Sequence, residues 1–249
     1  MSDETTRDAF LGGLLQITQP REGYRAGVDA VFLAAACPAK TGQRVLELGC
    51  GVGAAMLCLA KRTAGLRVTG VEVQPDYADL ARANATHNGI EAEVITADLR
   101  ALPADLRNRS FDHVIINPPY YEQTATTAAR DIGRDTAHRS DTPLAEWIDI
   151  GARRLAPKGY LTLIQRIDRL PEAIVACDGR LGSLVVLPLA GREGRAPERF
   201  LLQARKDGRA AFRLCPTYVL HRGATHERDQ ESYTAQTRRI LRDGAALHI

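Results

Sequence analysis

The sequence predicts an α/β fold, a doubly wound sheet of seven strands, mostly parallel with an antiparallel last strand. Three observations predict it. Short β-branched runs alternate with helical stretches from residue 44 to residue 178, the pattern of βαβ units on a parallel sheet. The last two strand runs, 183–190 and 199–206, have no helix between them, so they form a hairpin and the final strand turns antiparallel. A glycine cluster closes the first strand and opens the first helix, a junction where such sheets hold ligands.

Taken in order, "RVLELGC" (44–50) is the first strand, "AAMLCLAKRT" (54–63) the helix behind it and "RVTGVEV" (67–73) the second strand. "PDYADLARANATHNG" (75–89) begins with proline at a helix-entry position and ends in Asn88-Gly89, a helix stop. "AEVITADL" (92–99) follows, then "FDHVIINPP" (111–119), a strand that must end where two prolines remove its ladder donors. The helix "PLAEWIDIGARRL" (143–155), the strand "GYLTLIQR" (159–166) and the helix "LPEAIVACD" (170–178) lead to the closing pair, "SLVVLPLA" and "RFLLQARK". Right-handed crossovers put the ligand crevice at the carboxyl ends of the strands, near the switch point. Without an internal repeat or low-complexity linker, residues 1–249 read as one domain. Its core is 44–206, with an N-terminal extension, 1–43, and a C-terminal extension, 207–249. The 22 residues from Tyr121 to Thr142 exceed a routine loop, and connections of that length usually carry function or mobility.

Composition narrows the function classes. The chain is 45% hydrophobic and 25% charged, ordinary for a water-soluble globular protein. No run approaches the ~18 apolar residues of a membrane span, and the acidic N-terminus lacks the features of a secretory signal. Five scattered cysteines, without a CxxC, point to reduced thiols in the cytoplasm rather than to disulfides or zinc. The six histidines have no metal-ligand spacing, so no metal is expected. A net charge of +3 does not by itself imply nucleic acid. Residues 191–222, however, hold eight basic side chains against three acidic ones, which is either a phosphate-facing patch or a solvated surface.

The first chemical signal is "ELGCGVGA" (47–54). Gly49, Gly51 and Gly53 permit a tight turn and close approach of a ligand to the backbone, and the following helix N-terminus suits an anionic group. Glu72 ends the next strand 21 residues after Gly51, where an acid can bond ribose hydroxyls. Spelling alone also admits a dinucleotide and a nicotinamide dehydrogenase. Glu47 favours a different ligand, because an acid there suits the α-amino group of a methionine moiety and is poorly placed beside a pyrophosphate. Asp98 could accept from an adenine amino group. Together these residues resemble the cofactor site of class I S-adenosylmethionine-dependent methyltransferases, whose fold is Rossmann-like. The resemblance implies S-adenosylmethionine as cofactor and adds Val73, Leu99 and Asn117 to its site.

The second signal is "NPPY" (117–120). Asn117 precedes a proline and is pushed toward an extended conformation. Pro118 and Pro119 lose donors but keep free carbonyl acceptors, so with the Asn117 side-chain oxygen two acceptors can converge on one NH₂ group. Tyr120 offers a ring for stacking, worth about 1–3 kcal/mol per base. Acceptors on both N–H bonds of a conjugated amine favour a pyramidal nitrogen whose lone pair points at a sulfonium methyl. Alignment and acceptors matched to developing positive charge supply the rate, with no dedicated base.

"NPPY" looks like motif IV of the amino-methyltransferases, which act on adenine N6 or glutamine N5. "GYRAGVDAVFLAAACPAK" (23–40) resembles the segment before the first strand of the bacterial adenine-N6 methyltransferases that modify valine tRNA beside its anticodon. In that family a Gly-x-Asp, here Gly27 and Asp29, packs near the methionine end of the cofactor. The tail 218–241 resembles the family's closing segment. The resemblance implies N-methylation of adenine N6 in tRNA, with nucleic acid as partner and no membrane. Two alternatives stay open: a protein glutamine-N5 methyltransferase, for which some 43 residues before the first core strand leave little room, and a non-catalytic RNA-binding module on a relic fold. The 121–142 loop departs from a phosphate clamp, since Arg130, Arg134 and Arg139 are interleaved with Glu122, Asp131, Asp135 and Asp141.

Overall fold

A computed structural model describes residues 4–119, 142–223 and 232–249. All of the 121–142 loop except Thr142 therefore lies outside the described residues. The seven expected core strands are β3 (Arg44–Leu48), β4 (Arg67–Glu72), β5 (Ala92–Thr96), β6 (Phe111–Ile116), β7 (Leu155–Arg166), β8 (Leu181–Arg192) and β9 (Arg199–Lys206). Their order across the sheet is β5-β4-β3-β6-β7-β9-β8. Strands β3 to β7 are mutually parallel, and β9 lies antiparallel between β7 and β8, as the missing helix between 190 and 199 requires. The chain runs outward from β3 through β4 to β5, then returns to β6 on β3's other side. That reversal makes a crevice where the carboxyl ends of β3 and β6 meet, with Leu48 paired to Ile116.

The connecting helices are α2 (Ala54–Arg62), α3 (Pro75–His87), α5 (Leu144–Arg154) and α6 (Leu170–Ala176). Alternate residues of the central strands feed two buried layers, one on each face. Val45, Ile115 and Ile164 join Met56 and Leu59 of α2, whereas Leu46, Val114 and Leu163 join Trp147 and Ile148 of α5.

Seven further elements come from segments in which the alternation did not mark any. The first two are the strands β1 (Thr5–Phe10) and β2 (Leu15–Pro20), an antiparallel hairpin separate from the main sheet. Leu15 and Ile17 of β2 are fully buried, and its outer edge is paired by side chains instead of a strand. Asn84 of α3 accepts from Thr18 N (2.8 Å) and donates to Thr18 O, while Asn88 accepts from Gln16 N (2.9 Å) and donates to Gln16 O. The helix α1 (Val28–Ala36) is apolar all round and buried from Ala30 to Ala36, so no amphipathic period announces it. α4 (Ala104–Asn108) is a single short turn of helix, and α7 (Ala235–Asp243) packs against the hairpin turn and α1. The remaining two, β10 (Arg213–Leu214) and β11 (Tyr218–His221), lie in succession along β8's outer edge and extend the sheet to nine strands. No helix among the described residues is long and apolar enough to cross a membrane.

Candidate active site

The glycine turn leaves β3 with Gly49 at φ +66° and Gly51 at φ +53°, and Gly53 caps the start of α2. At Gly49 a Cβ would stand 2.7 Å from the Trp147 ring of α5, so the turn lies directly on that indole. At Gly51 the nearest heavy atom to a Cβ would be Tyr24 Cε1 at 3.9 Å, leaving a shallow cradle between backbone and ring. Glu72 braces the turn from the end of β4. Its Oε2 accepts from Gly51 N (3.0 Å) and its Oε1 from Gln74 N (2.9 Å). Each oxygen keeps a second lone pair for a ligand hydroxyl.

Glu47, in β3, is 3% exposed and its Oε2 accepts from Met56 N (2.9 Å) in the first turn of α2. Burial pushes its carboxyl up to about 8, the Met56 N–H opposes the shift and the nearby Glu72 carboxylate adds to it. Asp98 follows β5, is exposed, and accepts from Arg100 N (2.8 Å) to cap a short helical turn, Leu99–Ala101. Val73, just past β4, is 48% exposed, an apolar surface at the carboxyl edge of the sheet. A cradle without Cβ, acids at the ends of β3, β4 and β5, and an exposed valine fit a ligand with an amine, a ribose and a flat base.

At the end of β6 the Asn117 amide donates from Nδ2 to Tyr24 Oη (3.1 Å). The Pro118 carbonyl was expected to be free; instead it accepts a long bond (3.4 Å) from Gln165 Nε2, a side chain buried at the end of β7. A carbonyl oxygen has two lone pairs, so one acceptor position is left. Pro119 is described and follows directly, while Tyr120 lies outside the described residues. Asp29, in the first turn of α1, forms an ion pair with Arg199 Nε of β9 at 2.8 Å.

Residues 26–167 match the family described as the methyltransferase small domain. The chain belongs to that family. It is 31% identical over 226 residues to the tRNA1(Val) (adenine(37)-N6)-methyltransferase of Porphyromonas gingivalis, a match spanning 86% of this chain and 88% of that one. The protein of that name from Shewanella halifaxensis is 30% identical, across 81% and 82% of the two chains. Among solved structures, a predicted O-methyltransferase from Agrobacterium tumefaciens superposes with a TM-score of 0.71 and 26% identity, covering 89% of this chain and 99% of that one. The Thermus thermophilus 16S rRNA N2 G1207 methyltransferase, solved with its methyl donor and guanosine, shares the fold at a TM-score of 0.55 and 22% identity, covering 81% of this chain and 50% of that one.

This methyltransferase uses S-adenosylmethionine, and Gly49, Gly51, Gly53, Glu47, Glu72 and Asp98 lie at the carboxyl ends of β3, β4 and β5. Three residues of the site escaped the sequence reading. Tyr24 bridges its two halves: the ring overlies Gly51 and the hydroxyl meets Asn117. Although 48% of Tyr24 is exposed, its hydroxyl points inward; burial first, then the Glu47 and Asp29 carboxylates, push it up to about 12. The phenol is thus a neutral hydrogen-bonding group at every working pH. Gln165 fixes Pro118, and Trp147 floors the glycine turn. The local hints were a tyrosine in a Gly-Tyr-Arg stretch, a polar residue closing an apolar strand and the single tryptophan.

Proposed function

We propose that this methyltransferase places a methyl group on adenine N6 in tRNA. Asn117 carries the reading. With Nδ2 engaged by Tyr24, the planar amide turns Oδ1 the other way, and Pro118 O stands one residue on at the same strand end. Two oxygen acceptors so placed suit the two N–H bonds of an exocyclic amine. The similarity to the Porphyromonas protein over nearly both lengths supports adenine in tRNA as the carrier of that amine.

S-adenosylmethionine, when bound, supplies an electrophilic methyl group. Asn117 and Pro118 hold the amine so that its lone pair lies in line with that methyl. As the nitrogen gains positive charge, both acceptors strengthen, and the departing proton passes to solvent. A hydroxyl substrate would instead need a base to take its proton before attack, and the neutral phenol of Tyr24 is not one. Glu47, Glu72, Asp98, Val73 and Leu99 hold the donor, and Pro119 and Tyr120 complete the substrate face. The chain reads as one domain working in the cytoplasm, where its five free cysteines stay reduced.

The test is incubation with methyl-labelled donor and an unmodified tRNA transcript, followed by nucleoside analysis. Label should appear as N6-methyladenosine; label found only in a protein substrate would refute the reading. Asn117→Ala should lower turnover about a hundredfold or more, the usual loss for one such group, with donor affinity nearly intact. Equal losses in both would make Asn117 structural.

A further inference from the structure

Beyond Tyr24, on the side away from the glycine turn, a cleft of about 510 Å³ opens at the carboxyl edge of the sheet. That volume falls in the ordinary range for small-ligand sites. Tyr24 is a wall of this cleft and the bonding partner of Asn117, so the cleft begins one aromatic ring from the proposed target amine. Its far end is lined by His221 of β11 and Tyr233, whose rings stack with centroids 4.5 Å apart and planes at 27°.

The stack is held on several sides. Residues 220–222 and 232–234 form a short ladder, with Arg222 N donating to Ser232 O and Thr234 N to Leu220 O. Ser232 Oγ bonds His221 Nδ1 (3.0 Å) and accepts from Arg192 Nη2 (3.1 Å), while Arg192 Nη1 donates to Arg222 O (2.7 Å). The two rings are therefore fixed before any ligand arrives, and a base stacking there orders little else.

Charge decides what kind of recognition this is. The cations that line the cleft already have acidic partners, Arg199 with Asp29 at 2.8 Å and Arg25 with Asp8 at 2.6 Å. Phosphate binding at these positions must compete with those carboxylates. The stacked rings need no counter-charge, and every base has a π-face to offer them.

We infer that this cleft is a subsite for the nucleotide next to the target adenine, holding its base by stacking on the Tyr233–His221 pair. The inference rests on the RNA reading of the active site and says which part of the substrate lies where. It makes the RNA affinity depend on stacking more than on ion pairing, and it makes the enzyme prefer an oligonucleotide to a free nucleoside.

The test measures methyl transfer to an unmodified tRNA transcript, to a trinucleotide with a central adenine and to free adenosine. Tyr233→Ala should raise KM for the tRNA and the trinucleotide about five- to a hundredfold, the equivalent of one lost stacking contact. KM for adenosine, the turnover at saturation and the calorimetric affinity for S-adenosylmethionine should not change. Tyr233→Phe, which keeps the face, should restore the wild-type value, and His221→Ala should reproduce the loss if Tyr233→Ala fails to fold. Unchanged RNA KM in both alanine variants, with wild-type methylation of RNA intact, would overturn the subsite and leave the proposed function standing. Weakened donor binding in parallel with RNA binding would also overturn it, by making the stack merely structural. Methylation of a protein glutamine and of no RNA by the wild type would overturn function and subsite together.

Discussion

At the end of β6 the Asn117 amide has a donor end and an acceptor end, and Tyr24 Oη takes the donor end at 3.1 Å. Tyr24→Phe removes that contact while keeping the ring over Gly51. Orientation by one neutral hydrogen bond is worth about 0.5–1.5 kcal/mol, so turnover should fall roughly three- to tenfold with donor affinity unchanged. Steady-state kinetics with a parallel donor titration would decide this, and unchanged turnover would remove Tyr24 from the reacting geometry. Glu47 gives a second expectation. With its carboxyl pushed up to about 8, it is protonated near neutrality in the free protein, whereas an ammonium group beside it favours the carboxylate. Donor binding should therefore release up to one proton between pH 4.5 and 8, and affinity should rise with pH across that window. Calorimetry in two buffers of different ionisation enthalpy would detect the proton. No buffer dependence would mean that Glu47 does not face the donor's amine.

At the scale of elements, the strands and helices from 44 to 178, apart from the short α4, were legible because each repeats the same βαβ step. The hairpin β1–β2 was not, because its stability comes from Asn84 and Asn88, residues 66 or more positions away that mimic a neighbouring strand. Asn84 also donates to Val52 O (3.0 Å), tying the hairpin and α3 to the glycine turn. Asn84→Ala would strip partners from Thr18 N, Thr18 O and Val52 O, an expected loss of about 2–3 kcal/mol in urea unfolding. Amide exchange should show the loss first in β2. Wild-type stability would mean that Leu15 and Ile17 hold the hairpin by packing alone. α1 was hidden for another reason: a helix buried on every side has no polar face to mark its period.

Across the whole molecule, spacing exposed one half of the site and topology supplied the other. The glycines and Glu72 lie within one βαβ unit, so sequence distance predicts their meeting. Tyr24, Trp147 and Gln165 come from three separate segments that only the strand order brings to the crevice. The basic stretch 191–222 is likewise divided by the fold. Arg192 and Arg199 stand at the active-site edge of β8 and β9, whereas Arg205, Lys206 and Arg213 stand toward the opposite edge, so the segment is not one patch. Two buried titratable groups should shape stability against pH. Burial pushes His113 of β6 down to about 4, its Nε2 bonded to Gln43 Oε1 (3.0 Å) and its Nδ1 without a partner. The unfolded chain takes that proton below about 6.5, so the His113 contribution is full above that pH and is lost on acidification toward 4. Glu47 acts oppositely, because the folded state keeps its proton up to about 8 and stability declines as pH rises from 4.5 to 8. Their contributions cancel between 4.5 and 6.5 and leave a decline from 6.5 to 8. His113→Phe should uncover the Glu47 slope over the whole window; urea unfolding of both proteins at several pH values would show it, and parallel profiles would disprove the assignment.

The most direct measurement exposes total RNA and total protein to the wild-type enzyme and to Asn117→Ala, with S-adenosylmethionine, and reads every methylated nucleoside and residue by mass spectrometry. The wild type should add N6-methyladenosine to tRNA, and the variant should add almost none. Methyl groups on a protein glutamine or on an oxygen, or equal yields from the two enzymes, would contradict the account.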